Sequence, residues 1–172
     1  MFKIISCIDN QFGIGNKNEL LYRIKDDLKQ FKQYTTNNVV IMGFNTFKSL
    51  GYKSLPNRIN IVLSNRHHDN YSDVIFVNSI NEVIDVCEKN YIDKEWFVIG
   101  GSSIYKQFLE LGIVDEMVLT CVDYTKNADA YFPSINDLEW KVINLSEVKS
   151  FQENDVTINF TFKKFIKIKN QN

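Results

Sequence analysis

From Phe2 to Asp123 the chain alternates between short apolar runs of strand type and segments whose apolar residues recur every three or four positions. A mainly parallel sheet flanked by helices satisfies that alternation, because parallel neighbours need a crossover between them and a helix supplies it. Strands are expected at 2–8, 38–42, 59–64, 74–77, 95–99 and 116–123, with helices at 24–34, 45–50, 80–89 and 102–111. In the first helix Ile24, Leu28, Phe31 and Tyr34 form the apolar stripe, and Lys25, Lys29 and Gln33 fall elsewhere. After Pro133 the pattern changes. Residues 140–148 and 156–165 are β-rich and separated by the polar segment 149–155, so an antiparallel hairpin should close the sheet. The last six residues, 167–172, read as a frayed tail, leaving 1–166 as the domain.

The 172 residues, 44% of them hydrophobic, suffice for one core and one domain. A formal charge of −1 with interspersed signs gives no reason to expect nucleic acid or an anionic membrane as a partner, so any anionic ligand must meet local cations. Cys7, Cys87 and Cys121 are odd in number and lie among apolar residues, which reads as buried thiols rather than a disulfide framework or a zinc site. The N-terminus lacks the layout of a signal peptide, and no run approaches the ~18 apolar residues of a membrane span. A cytoplasmic enzyme or binding domain is expected, monomeric and without a metal.

Three places could carry chemistry. Asp27 sits beside the apolar stripe that holds Leu28 and Phe31, and a carboxylate there needs a cation, a donor or a ligand to meet it. A structural salt bridge is the plain alternative. At Ile99-Gly100-Gly101-Ser102 a strand runs into a helix through two glycines, where backbone can approach a phosphate and the helix start offers unpaired N–H groups. A tight turn would explain the same residues. Met42-Gly43-Phe44-Asn45-Thr46 repeats the arrangement, with Thr46 near the helix start, and a simple N-cap is its alternative. Together the two junctions could hold a pyrophosphate at the carboxyl edge of a parallel sheet. Lys32, Arg58 and Arg66 are candidate cations, while His67 and His68 lack partners at metal-ligand spacing and read as surface residues.

In order along the chain, Ile14-Gly15-Asn16 to Leu20-Leu21-Tyr22, Asp27-Leu28-Lys29-Gln30-Phe31-Lys32, Val40 to Phe47, Leu55 to Ser64, Val98 to Tyr105 and Asp129-Ala130-Tyr131-Phe132-Pro133 resemble the bacterial-type dihydrofolate reductases. The likeness runs from Phe2 to about Phe165. It implies a mixed sheet of about eight strands with four main helices, NADPH as cofactor and dihydrofolate as substrate. The pterin would lie against Ile5, Cys7, Leu28, Phe31 and Ile99, with Lys32, Leu50, Leu55, Tyr105 and Thr120 completing that side. Asp27 would orient the pterin through its amino group and ring N–H, Arg58 would hold the glutamyl α-carboxylate, and a proton would arrive through water near Asp27 and Tyr22. The cofactor would contact Cys7, Gly43, Phe44, Asn45, Thr46, Leu63, Ser64, Asn65 and Arg66. It would also run along Ile99, Gly100, Gly101, Ser102, Ser103, Ile104, Tyr105 and Gln107. Residues 14–20, including Ile14, Gly15, Asn18 and Leu20, would form a mobile loop over the nicotinamide.

The sequence departs from the family pattern in places. Leu21-Tyr22 stands for the usual Pro-Trp, Lys25 for a frequent Pro, and Gln30 for a frequent aromatic residue. Phe44 and Ser103 occupy positions where many members carry arginines near the cofactor's phosphates, leaving Arg66 as the clearest cation for a 2′-phosphate. Two rival readings accompany the resemblance, a riboflavin-pathway reductase and a silent folate- or nucleotide-binding member.

Overall fold

The computed structural model describes residues 1–66 and 70–169, so the expectations for His67 and His68, and those for the final 170–172, lie outside it. Along the described chain run β1 (Phe2–Ile8), β2 (Gly13–Asn16), β3 (Glu19–Leu20), α1 (Lys25–Thr35), β4 (Val39–Gly43), α2 (Phe44–Ser49), β5 (Ile59–Leu63) and β6 (Val74–Val77). There follow α3 (Ile80–Asn90), β7 (Trp96–Gly100), α4 (Ser102–Glu110), β8 (Val114–Asp123), β9 (Ala130–Tyr131), β10 (Trp140–Asn144), β11 (Lys149–Glu153) and β12 (Val156–Lys167). The main sheet has the order β10-β12-β8-β1-β7-β4-β5-β6, with β11 also paired to β12. From β8 to β6 every pairing is parallel, and β12 joins β8 antiparallel. A small second sheet has the order β3-β2-β9.

Burial explains why β4 sits mid-sheet, since all five of its residues are buried. Val39 and Ile41 pack in the cluster containing Val83 and Cys87 of α3 and Tyr105 and Phe108 of α4. Val40 and Met42 pack on the opposite face with Phe47 of α2. Each such side chain removed from water contributes roughly 1.5–3 kcal/mol, which an edge position would forfeit.

Three expectations need correcting. The polar segment 149–155 is not a connector: Lys149–Glu153 is strand β11, and the hairpin turns at Asn154-Asp155, both at positive φ. Glu153 opposite Val156 makes this a two-residue loop of the kind that matches strand twist. Its expected partner shrinks to β10, and Leu145 to Val148 are not strand. The expected loop 14–20 is likewise a hairpin, β2 and β3 joined at Lys17-Asn18 with both residues at positive φ. At the other end β12 runs through Lys167, opposite Trp140, so the first tail residue belongs to the sheet.

Candidate active site

Asp27 is the third residue of α1, where the helix's unpaired N–H groups favour a negative charge. Burial opposes this and wins, raising its pKa above the ordinary carboxylate value. Thr120 partly offsets the effect, its hydroxyl donating to Asp27 Oδ1 at 2.5 Å. Thr120 lies on β8 directly beside Cys7 on β1, so three expected site residues meet across two parallel strands and a helix. Burial and the nearby Asp27 also push the Cys7 thiol well up, which keeps it protonated and unreactive.

The residues expected on the pterin side fall into two apolar clusters. Phe31 and Ile99 pack onto the cluster of Ile5, Phe97 and Val118, while Leu50 and Leu55 pack with Ile99 against Met42 and Phe47. Leu28, one helical step from Asp27, remains 43% exposed, a large apolar side chain facing open space beside a partly buried acid. Lys32 is exposed at the last turn of the same helix. Arg58 is fixed rather than solvated: Nε donates to Thr35 Oγ1 at 3.0 Å, Nη1 donates to the Pro56 carbonyl at 2.7 Å, and the guanidinium lies 5.9 Å from the Phe31 ring centroid. Burial lowers its pKa without threatening the charge of so basic a group.

The two glycine junctions come together. β4 and β7 are parallel neighbours with Met42 opposite Gly100, so both strands release their chains at the same edge. A Cβ on Gly43 would lie 2.9 Å from Ile104 Cγ1, and one on Gly100, at φ +131°, would lie 3.3 Å from Thr46 Oγ1. Both glycines are buried, and the missing Cβ lets Ile104 and Thr46 come close, which sets the two junctions side by side as a cradle. Gly43 and Gly101 cap α2 and α4 without any side-chain bond, whereas Ser79 caps α3 by accepting from the Glu82 N–H. Ser102 Oγ, at the start of α4, is buried with no hydrogen-bond partner. An anion in the cradle would satisfy both sets of donors. β5 ends alongside at Leu63 and Ser64, where Ser64 Oγ accepts from the Arg66 N–H at 3.2 Å, and Asn65 and Arg66 are exposed. Tyr105 is buried behind the cradle, its hydroxyl donating to the Ile5 carbonyl at 3.0 Å.

Tyr22 is buried, and its hydroxyl donates to Asp9 Oδ2 at 3.0 Å, because a buried phenol needs an acceptor and Asp9, itself buried, supplies one. Phe44 and Ser103 are also engaged: the Phe44 ring packs 6.3 Å from Phe47 and 6.0 Å from Tyr52, and Ser103 Oγ accepts from Gln107 Nε2 at 2.9 Å. The hairpin carrying Ile14, Gly15, Asn18 and Leu20 pairs with β9, and Leu20 is 53% exposed near its end. Sequence reading missed Asp9, Thr35, Lys126 and Glu153. Asp9 had one legible signal, an acid closing a strand just before a turn, where it caps the N–H groups of Gln11 and Gly13.

The family model for dihydrofolate reductase matches residues 1–167. The chain belongs to the dihydrofolate reductase family. Dihydrofolate reductase from Buchnera aphidicola subsp. Schizaphis graminum is 37% identical over 161 residues, covering 93% of this chain and 95% of that protein. That of Bacillus subtilis is 29% identical over 160 residues, covering 93% and 92%. Among solved structures, a dihydrofolate reductase from Enterococcus faecalis complexed with NADP(H) and RAB-propyl superposes with a TM-score of 0.82 at 24% identity, covering 97% of this chain and 96% of that one. That likeness establishes the shared fold. Family membership also decides against the riboflavin-pathway reading.

Proposed function

We propose that this family member reduces 7,8-dihydrofolate to 5,6,7,8-tetrahydrofolate at the cleft between α1 and the two glycine junctions, using NADPH. The observation that carries the reading is Asp27, raised in pKa by burial and held by Thr120, on the helix whose Phe31 packs with Ile99 onto the cluster of Ile5. A flat, partly apolar heterocycle with an amino group and ring N–H suits that setting, with the carboxylate accepting both donors and fixing the ring's orientation. Arg58, already aimed by Thr35 and Pro56, would take the substrate's carboxylate with its planar fork.

NADPH, when bound, supplies the hydride to the pterin carbon. The residues present fit its phosphates: Gly101 has only Thr46 Oγ1 near its Cβ position, at 3.6 Å, the starts of α2 and α4 lack side-chain caps, and Ser102 Oγ lacks a partner. Arg66 would meet the 2′-phosphate, since Phe44 and Ser103 carry no charge. The nitrogen beside the accepting carbon takes a proton from water admitted near Asp27 and Tyr22, whose hydroxyl proton is committed to Asp9. The hairpin from Ile14 to Leu20 would cover the nicotinamide and exclude water. We take 1–167 as the catalytic domain, since β12 runs through Lys167, working as a monomer. Its three free cysteines fit a reducing, cytoplasmic setting.

The test is loss of the reduced-nicotinamide absorbance with purified protein, dihydrofolate and NADPH. Decay that depends on dihydrofolate is expected. A folded sample that binds both ligands without decay would make it a silent binding member instead.

A further inference from the structure

β11 takes no part in the proposed chemistry, yet one face of it is fully committed. Lys149, Phe151 and Glu153 alternate onto the same side of the strand. Lys149 Nζ lies 3.2 Å from Asp26 Oδ2 in the first turn of α1, and Phe151 meets the Tyr22 ring edge-on with centroids 6.5 Å apart. Glu153 forms an ion pair with Lys126. Lys126 Nζ in turn donates to the Leu21 carbonyl at 3.0 Å and lies 4.5 Å from the centroid of the Tyr22 ring. Its own backbone N–H donates to Asp9 Oδ2 at 3.2 Å, the same oxygen that takes the Tyr22 hydroxyl. The other oxygen of Asp9 accepts the N–H groups of Gln11 at 3.0 Å and Gly13 at 2.8 Å. A Cβ on Gly13 would lie 2.8 Å from Leu21 and 3.1 Å from Asp9, so the two ends of segment 13–21 meet here without space between them.

We propose that Lys126, held by Glu153, is a positioning residue for hydride transfer, clasping the root of the β2–β3 hairpin where the chain leaves for α1. An exposed ion pair contributes little. This ammonium is different, because a carboxylate, a carbonyl and an aromatic face receive it together in a partly buried place. Besides Glu153, its partners are Leu21 and Tyr22, which leave the hairpin for α1, and Asp9, which holds the Gly13 N–H at the hairpin's other end. Loosening Lys126 therefore loosens the hairpin before it loosens the sheet. The inference rests on the reading that this hairpin covers the nicotinamide.

The experiment compares Lys126→Met, Glu153→Gln, the double variant and Lys126→Arg with the wild-type chain. Two readouts are used: amide hydrogen exchange without ligands, and single-turnover hydride transfer with NADPH and dihydrofolate. Loss of either partner should speed exchange across 13–24 by about tenfold, the effect of one lost charge-assisted bond, with the rest of the sheet unchanged. The double variant should be no worse than Lys126→Met, and Lys126→Arg should recover most of the protection. Hydride transfer should slow by roughly fivefold while dihydrofolate affinity holds, since Asp27 and Arg58 are untouched. Unchanged exchange at 13–24, exchange raised throughout the sheet, or an unchanged transfer rate would overturn the proposal. A wild-type chain that transfers no hydride would overturn the proposed function instead, and exchange alone would then decide the clasp.

Discussion

Asp27 is placed where catalysis and stability pull apart. Burial lifts its pKa above the value of 3.8 for an unperturbed aspartate. A carboxylate raised on folding adds its full stability only below that unfolded-state value, and the contribution is lost as pH rises through the folded one. Ionised Asp27 is thus a cost at neutral pH. Asp27→Asn keeps the shape and an acceptor for Thr120 while removing the charge, so it should melt higher than the wild-type chain at pH 7, with the difference shrinking toward acid. Calorimetry across that range checks the sign. The same variant should lose about 100-fold or more in turnover at neutral pH and recover part of it on acidification, where substrate arrives already protonated. Wild-type turnover in Asp27→Asn would remove Asp27 from the mechanism. Arg66 tests the other half of the cleft. With Phe44 packed among rings and Ser103 bonded to Gln107, Arg66→Ala should weaken NADPH by about 10- to 100-fold and NADH little, as judged by the two dissociation constants. Equal losses would send the 2′-phosphate elsewhere.

At the scale of elements, what sequence could reveal depended on how locally each was encoded. α3 is written in its own residues: Ser79 accepts from the Glu82 N–H at 3.2 Å, and Glu82 Oε2 takes the Asn78 N–H at 2.8 Å, a reciprocal cap formed within five residues. Ser79→Ala should therefore cost about 1 kcal/mol, lowering Tm by roughly 2–4 °C without affecting turnover. The parallel strands were equally legible, because burial on both faces makes them nearly continuous apolar runs. β11 was not. Lys-Ser-Phe-Gln-Glu presents one aromatic residue among polar ones, and its turn is Asn-Asp rather than the Asn-Gly that advertises a hairpin. β2 and β3, four and two residues long, are too short for any period to show. The site divides in the same way. Asp27, Arg58 and the glycine junctions sit in motifs, whereas Lys126 meets Asp9 across 117 residues, a pairing with no local trace.

Over the whole molecule, the row β8-β1-β7-β4-β5 turns scattered motifs into one edge. Thr120 and Cys7 come from β8 and β1, the glycine junctions from β7 and β4, and Ser64 follows β5, so the groups proposed for substrate and for nucleotide lie on successive stretches of a single sheet. Ile99 lies at the boundary, packed both with Ile5 and with Met42. Because both halves exist formed in the native state and neither survives unfolding, each ligand stabilises by mass action. At a hundred times its dissociation constant NADPH should add about 2.7 kcal/mol and raise Tm by roughly 5–10 °C in a chain of this size. Asp27→Asn should keep that shift and lose most of the one produced by dihydrofolate, whereas Arg66→Ala should do the reverse. If removing Asp27 abolished the NADPH shift as well, the two stretches would be one cooperative pocket, and the division at Ile99 would not hold.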